Sequence, residues 1–331
     1  MVSGVGVVVI GRNEGERLAA CLDSFASVAA PLVYVDSGSS DGSAAMARSK
    51  GVLVHELDPA RPFSAARARN EGLAQLLAVH PALEFVQFID GDCYLLAGWL
   101  DAALATLRDH EHCAAVAGHL IERRPDASVY NRLCQLEWSS SAIGDITDAG
   151  GLGGISVMRI GAFEQAGRFN PDVIAGEEPE LSMRLRKAGW RVLKIDQAMA
   201  THDANILSFG QWWQRNVRAG HAIGHRSHLS ASNGSQDCIR ERNSTLLWGV
   251  ALPLLIVAAL IPTHGMSLLL LGGYGVLAWR VWRHRRRHGD SAADAWLYAR
   301  YLILSKFANG LGLLKFYSNL LTGRYRIIEY K

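Results

Sequence analysis

Residues 84–99 read EFVQFIDGDCYLLAGW, an apolar run that ends in two aspartates on either side of one glycine. Phe85, Val86, Phe88 and Ile89 lack the polar alternation of a half-exposed strand. A strand that reads this way is covered on both faces, as in the interior of a parallel sheet. Asp90 and Asp92 then stand at its carboxyl end. In an open α/β sheet that edge is where ligands bind, so two carboxylates held close together there predict a site that handles a cation.

Outward from this strand, residues 5–10, 32–35 and 52–55 are further short, β-branched-rich runs separated by helix-patterned stretches. The succession is βαβα, which predicts an α/β fold built on a mixed, mostly parallel sheet. The first turn, IGRNEGERL, lacks the G-x-G-x-x-G that lets a backbone approach a dinucleotide pyrophosphate, which argues against a nicotinamide or flavin domain. The second run ends in VDSGSSDGS (35–43), with Asp36 at the strand end, where an acid can accept from a ribose or a base edge. Asp41 opens the next helix, and there an acidic helix cap is an equally ordinary role.

The chain has 331 residues, 49% of them hydrophobic, enough for one large or two ordinary domains. Residues 245–263 carry no charge, and the apolar run 266–279 follows after only His264 and Gly265. With its flanks each run approaches the ~20 residues that a helix needs to cross the hydrocarbon layer. Residues 244–283 are therefore expected to form a two-helix transmembrane hairpin, with a buried soluble hairpin as the alternative. Arg240 and Arg242 precede it and RVWRHRRRH (280–288) follows, so the positive-inside rule puts both ends, and the domain spanning 1–243, on the cytoplasmic side of the inner membrane. Residues 284–331 mix aromatic and basic side chains and are expected to lie in the membrane interface as an amphipathic tail. The net charge of +3 reflects these clusters; no basic stripe with interleaved aromatics appears in the first half, so no nucleic-acid partner is expected. Five cysteines without a C-x-x-C pair read as reduced cytoplasmic thiols. The N-terminus has no basic leader and no small-residue cleavage pattern, and is read as a first strand.

GRNEGERL, VDSGSSDGS, ARARNEGLA (66–74), FIDGDCYLLAGWL, GEEPELSMRLRKAGW (176–190) and GQWWQRNVRAG (210–220) together resemble the successive motifs of glycosyltransferase family 2, which has the GT-A fold. The resemblance covers roughly the first two thirds of the chain and implies a transferase acting on a nucleotide-diphosphate sugar. It implies that Asn13, Glu14 and Asp36 face the base and ribose, that Arg69 lies close to the nucleotide or its diphosphate, and that Asp90 lies by the ribose. Asp92 would bind Mg²⁺ or Mn²⁺ bridging the diphosphate, because a divalent cation stabilises the negative charge that gathers on the leaving group. Oxygen ligands suit these hard cations better than zinc.

The family's acidic pair, which supplies the catalytic base, is Glu177-Glu178 here, where the second acid is usually aspartate. Pro179 is comfortable at a first helical position and disfavours helix before it, so Glu178 is expected at a helix cap, facing the positive end of the dipole. Glu177 remains a candidate for the same role. QWWQR only partly matches the Q-x-x-R-W of processive synthases, so Arg215 and Arg218 are expected to meet the diphosphate, an anionic head group or the membrane surface. His202 is either a further metal ligand or a structural histidine. His221, His225 and His228 share one helical face, read as polar or interfacial. DAGGLGG (148–154) is expected to be a loop near donor and acceptor.

These readings combine into a membrane-attached, non-processive, inverting enzyme whose acceptor is a hydroxyl on a lipid-linked saccharide or glycolipid. A polyprenyl-phosphate acceptor, which needs no base, a sugar nucleotidyltransferase and a non-catalytic membrane scaffold are the alternatives.

Overall fold

The structure is a computed structural model that describes residues 4–139, 143–147, 152–173, 175–232 and 238–323. It divides into two compact units, one of residues 1–124 and 141–204, the other of residues 125–140 and 205–331. The division falls before the change in hydropathy at 243, because helix Phe209–Ser232 packs with the helices that follow it.

The first unit contains β1 (Val5–Gly11), β2 (Leu32–Asp36), β3 (Leu53–Glu56), β4 (Phe85–Asp90), β5 (Cys93–Leu95), β6 (Cys113–Glu122), β7 (Gly144–Asp145), β8 (Ser156–Arg159) and β9 (Arg191–His202). They form one sheet in the order β3-β2-β1-β4-β8-β6-β9-β5, with β7 on β9. The first four run parallel, whereas β8 is antiparallel to β4 and β6, and β5 is antiparallel to β9. The sheet is mixed, as expected. Alternation along β1 explains its lack of polar positions: Val7 and Val9 enter the apolar cluster with Leu18, Trp99 and Leu104, and Val8 and Ile10 enter the other with Leu73, Leu76 and Phe163.

Register brings the functional loops to one edge. Ile10 pairs with Asp90 and Gly11 with Asp36, so the turns after β1, β2 and β4 leave the sheet side by side at their carboxyl ends. Gly91 serves this crowding, since a Cβ there would lie 3.3 Å from the Ile10 carbonyl oxygen and 3.4 Å from Glu14.

The second unit is helical among its described residues. Helix Phe209–Ser232 packs against helix Ala292–Thr322, and the approach is close: a Cβ on Gly312 would collide with the Val217 carbonyl, and one on Gly220 with the Asn309 backbone. Small residues at such contacts let helix backbones touch. Arg132, on helix Val129–Trp138, forks onto Asp294 with bonds of 2.9 and 2.7 Å. His221, His225 and His228 do not form an interfacial face; their rings lie 5.4, 5.5 and 6.0 Å from Phe316, because the long C-terminal helix covers that side.

The two membrane crossings expected over 244–283 are corrected by the structure: among the described residues no helix is long and apolar enough to cross a membrane. The backbone gives the reason. Helix Ile239–Leu246 passes through a π turn at Leu247–Ala251 into the short helix Leu252–Ala258, and the return begins as a 3₁₀ turn at Met266–Leu271. The 16-residue helix Gly272–Arg287 ends in His284, Arg285, Arg286 and Arg287. At ~1.5 Å per residue it rises only ~24 Å, against a hydrocarbon thickness of ~30 Å. The hairpin nevertheless exposes large apolar side chains, among them Leu254, Val257, Ile261, Met266 and Leu269.

Candidate active site

The R-N-x-G stretch builds the centre of the site from one helix. Helix Ala65–Val79 begins at Ser64, whose hydroxyl accepts from the Arg67 amide at 3.2 Å. Gly72 sets the helix directly on the sheet, since a Cβ there would come within 2.6 Å of Val8 and 2.7 Å of Val35. Asn70 exchanges hydrogen bonds with the backbone of Phe169, donating to its carbonyl at 2.8 Å and accepting from its amide at 3.2 Å. Arg69 is thereby held at the sheet edge with only 2% of its surface exposed.

Arg69 is a hub for carboxylates. Its Nη2 donates to Asp90 Oδ1 at 2.9 Å, its Nη1 donates to Glu177 Oε1 at 2.9 Å, and Nη1 lies 3.0 Å from Glu178 Oε1. Burial works against its charge, but Asp90, Glu178 and Glu177 more than offset this and raise its pKa. Arg69 thus ties the D-G-D turn to the acidic pair, and its charge-assisted bonds orient the three carboxylates.

Glu177 and Glu178 occupy the first turn of helix Glu177–Lys187, whose cap is Gly176 in the left-handed region at φ 84°. The helix therefore starts earlier than Pro179 suggested. The first four amides of a helix have no intrahelical acceptor, so a proline is tolerated throughout that turn. Glu180 pairs with Arg184 at 2.6 Å. Burial, and then the neighbouring Glu177 charge, push the Glu178 carboxyl up to about 7, with Arg69 pulling the other way. A carboxylate poised near neutrality is suited to accepting a proton.

Gly154 closes the cluster. A Cβ at this position would lie 2.7 Å from Arg69 Nη2, 2.9 Å from Asp90 Oδ2 and 3.2 Å from Glu178 Oε1. Displacements of this scale near reacting groups cost on the order of 10²-fold in rate. Gly154→Ala is accordingly expected to lower turnover by about that factor while the melting temperature stays close to wild type; steady-state kinetics beside a thermal melt measure both. Residues 148–151 of the same loop lie outside the described residues.

Asp92 is buried immediately before β5. Its Oδ2 lies 3.3 Å from His202 Nε2, and its Oδ1 accepts from the Cys93 thiol at 3.4 Å. Carboxylate oxygen and imidazole nitrogen converging here form a donor set that fits a divalent cation. The cluster holds both Asp90 and Asp92 but divides them: Asp90 turns to Arg69 and Asp92 to His202.

The turns after β1 and β2 form a separate polar network. Asn13, at φ 56°, accepts from the Ser40 amide at 2.8 Å and donates its own amide to Ser39 Oγ at 2.9 Å. Asp36 accepts from the Tyr34 hydroxyl at 2.8 Å and from the Gly38 and Ser39 amides at 3.0 and 2.7 Å. It is thus engaged in shaping the turn after β2. Glu14 pairs with Arg17 at 2.7 Å. Arg215 and Arg218 belong to helix Phe209–Ser232 of the second unit, where Arg215 pairs with Glu137 at 2.7 Å.

Residues 6–164 match the family described as Glycosyl transferase family 2. The chain carries a family 2 glycosyltransferase domain. It is similar to the succinoglycan biosynthesis protein ExoA of Rhizobium meliloti (strain 1021), with 26% identity over 305 residues that span 87% of this chain and 89% of that one. Its fold is that of the mannosyltransferase PcManGT from Pyrobaculum calidifontis, solved in complex with GDP-Man and Mn²⁺. That likeness has a TM-score of 0.60 at 18% identity over 93% of this chain and 87% of that chain. TarS 1–349 of S. aureus aligns over 97% of this chain and 92% of that chain, with a TM-score of 0.50 and 16% identity. Within the glycosyltransferase domain, two members of the site were not assigned to it from sequence, Cys93 and Tyr34, whereas Gly154 closes the loop 148–154 expected near donor and acceptor. The signal for Gly154 was the glycine-rich run; Cys93 and Tyr34 left none.

Proposed function

We propose that this glycosyltransferase moves a sugar, with inversion, from a nucleotide-diphosphate sugar to a hydroxyl of a lipid-linked saccharide or glycolipid in exopolysaccharide-type biosynthesis. The observation that carries this reading is Glu178, enclosed beside Glu177 and Arg69, with its carboxyl pushed up to about 7 at the carboxyl edge of the sheet. Glu178 takes the proton of the acceptor hydroxyl. The freed oxygen forms a bond to the anomeric carbon from the face opposite the diphosphate, and the electron pair of the breaking glycosidic bond leaves with the nucleoside diphosphate. Arg69 holds Glu177 and Asp90 at 2.9 Å and so keeps the acids in place. Asp92 and His202 are the residues that would hold Mg²⁺ or Mn²⁺, which neutralises charge on the departing diphosphate. The relative's role in succinoglycan biosynthesis and the nucleotide-sugar and Mn²⁺ bound by PcManGT agree with this assignment.

Asp92→Asn is expected to abolish the cation-dependent part of nucleoside diphosphate binding, measured by titration with and without Mn²⁺. Unchanged Mn²⁺-dependent affinity would remove Asp92 from the metal site. Release of pyrophosphate instead of nucleoside diphosphate would replace transfer by nucleotidyl transfer.

A lipid-linked acceptor accords with the second unit, for which we propose attachment to the cytoplasmic face of the inner membrane. Exposed Leu254, Val257, Ile261 and Leu269 would enter the interface, and exposed Arg280, Arg283, Arg286 and Arg287 would meet anionic head groups. Arg285 is the exception, buried under Tyr298 and bonded to the Leu136 carbonyl at 2.9 Å. Flotation with anionic vesicles should carry the full chain upward at low and high salt; recovery in the soluble fraction with both anionic and neutral vesicles would exclude the attachment.

A further inference from the structure

Cys93 directly follows the D-G-D and has no part in the function proposed above. It opens β5, and the antiparallel register sets it opposite His202 on β9. Residues paired in this way project to the same face of a sheet. The donor atoms of Asp92, Cys93 and His202 all lie within 4.8 Å of one another. Asp92 meets one partner through each carboxylate oxygen: Cys93 Sγ lies 3.4 Å from Oδ1 and His202 Nε2 lies 3.3 Å from Oδ2. Tetrahedral zinc bonds of ~2.3 Å to sulfur and ~2.0–2.2 Å to nitrogen and oxygen give ligand-to-ligand edges of about 3.3–3.7 Å, the scale of these separations.

We propose that Cys93 is a third protein ligand of the cation held by Asp92 and His202, giving this site a preference for sulfur-accepting cations such as Zn²⁺ and Co²⁺ over Mg²⁺. The inference rests on the reading of Asp92 as a cation ligand and extends it. Oxygen ligands alone suit magnesium, whereas an oxygen, nitrogen and sulfur set favours the later divalent metals. Without a cation the thiol keeps its proton and donates it to Asp92 Oδ1; coordination releases that proton to solvent as the sulfur binds the metal. Three protein ligands leave an open position, which is where a diphosphate oxygen would enter. The site would therefore load Zn²⁺ or Co²⁺ before any nucleotide arrives.

Cobalt reports this directly, because sulfur ligation produces a near-ultraviolet thiolate-to-cobalt charge-transfer band. The full chain, without nucleotide, is titrated with Co²⁺ alone. The expected result is a saturable band that is lost in Cys93→Ser and in His202→Ala and retained in Cys113→Ser. Cys93→Ser should weaken Co²⁺ at least about tenfold and leave Mg²⁺ affinity, read by competition, unchanged. Absence of the band in the wild-type chain would overturn the proposal whatever the variants do, as would an unaltered band in a folded Cys93→Ser. Because neither donor nor turnover is involved, failure here leaves the transfer reaction standing. Failure of Asp92→Asn to affect metal binding would instead remove both.

Discussion

Glu178→Gln is expected to lower glycosyl transfer by about 10²- to 10⁴-fold, the range of general-base catalysis, while nucleotide-sugar and cation still bind. Glutamine keeps the size of the side chain and its place in the first turn of helix Glu177–Lys187, but it cannot accept the hydroxyl proton. Folding should not suffer. An acid whose folded pKa is raised, here from 4.5 to about 7, binds its proton more tightly folded than unfolded. The ionised Glu178 therefore costs stability progressively as pH climbs from 4.5 to about 7, and the amide escapes that cost. At pH 8 the variant is expected to melt no lower than wild type. Glu177→Gln serves as the comparison, with a milder loss, since its partner Arg69 holds it at 2.9 Å as part of the support. Single-turnover transfer with donor binding checked in the same preparation separates the two residues. A Glu178→Gln enzyme retaining more than about a tenth of wild-type turnover would fall outside the general-base range.

The second large effect is on stability. Arg69→Met removes the cation that faces Asp90, Glu177 and Glu178, leaving the enclosed Glu177 and Glu178 carboxylates without their common partner. Breaking a buried ion pair from one side costs about 3–5 kcal/mol. The sign of its pH dependence follows from Glu178: Arg69 pulls its carboxyl down, so without Arg69 its folded pKa rises further and the folded variant keeps a proton that the unfolded chain loses. The deficit relative to wild type should shrink as pH falls toward the ordinary carboxylate range and widen as it rises. Chemical denaturation at two pH values measures it, and an equal, small deficit at both would show that the guanidinium is not the electrostatic centre described above. Arg69→Lys keeps charge but not the fork, so it should recover part of the stability and little of the turnover.

What could be read in the sequence follows the range of the interactions. β4 and the D-G-D were legible because a doubly buried strand ends in charges within a few residues, and β1, β2 and β3 because βαβ periodicity is local. The antiparallel half of the sheet was not, since pairing β5 with β9 joins Cys93 to His202 across the chain and depends on register alone. The same is true of the site. Asp92 and the acidic pair carried motif signals, but the hub at Arg69 becomes visible only when the fold brings residues 90 and 177 to either side of it. Asp36 was recognisable as a strand-end acid, whereas its engagement by Tyr34 and the Gly38 and Ser39 amides required the turn to be built. In the C-terminal hairpin, hydropathy located the apolar runs but not the π and 3₁₀ turns that interrupt the helices.

The measurement that bears most directly on the role of Glu178 is the pH dependence of single-turnover transfer to a hydroxyl acceptor, with cation and donor saturating. A base works in its ionised form, and the Glu178 carboxyl is pushed up to about 7. The rate should therefore rise with pH through neutrality, level off above it, and lose this acidic limb in Glu178→Gln. A wild-type rate that stays flat from pH 5 to pH 8, or a limb near 7 that survives in Glu178→Gln, would contradict the assignment of Glu178 as the base.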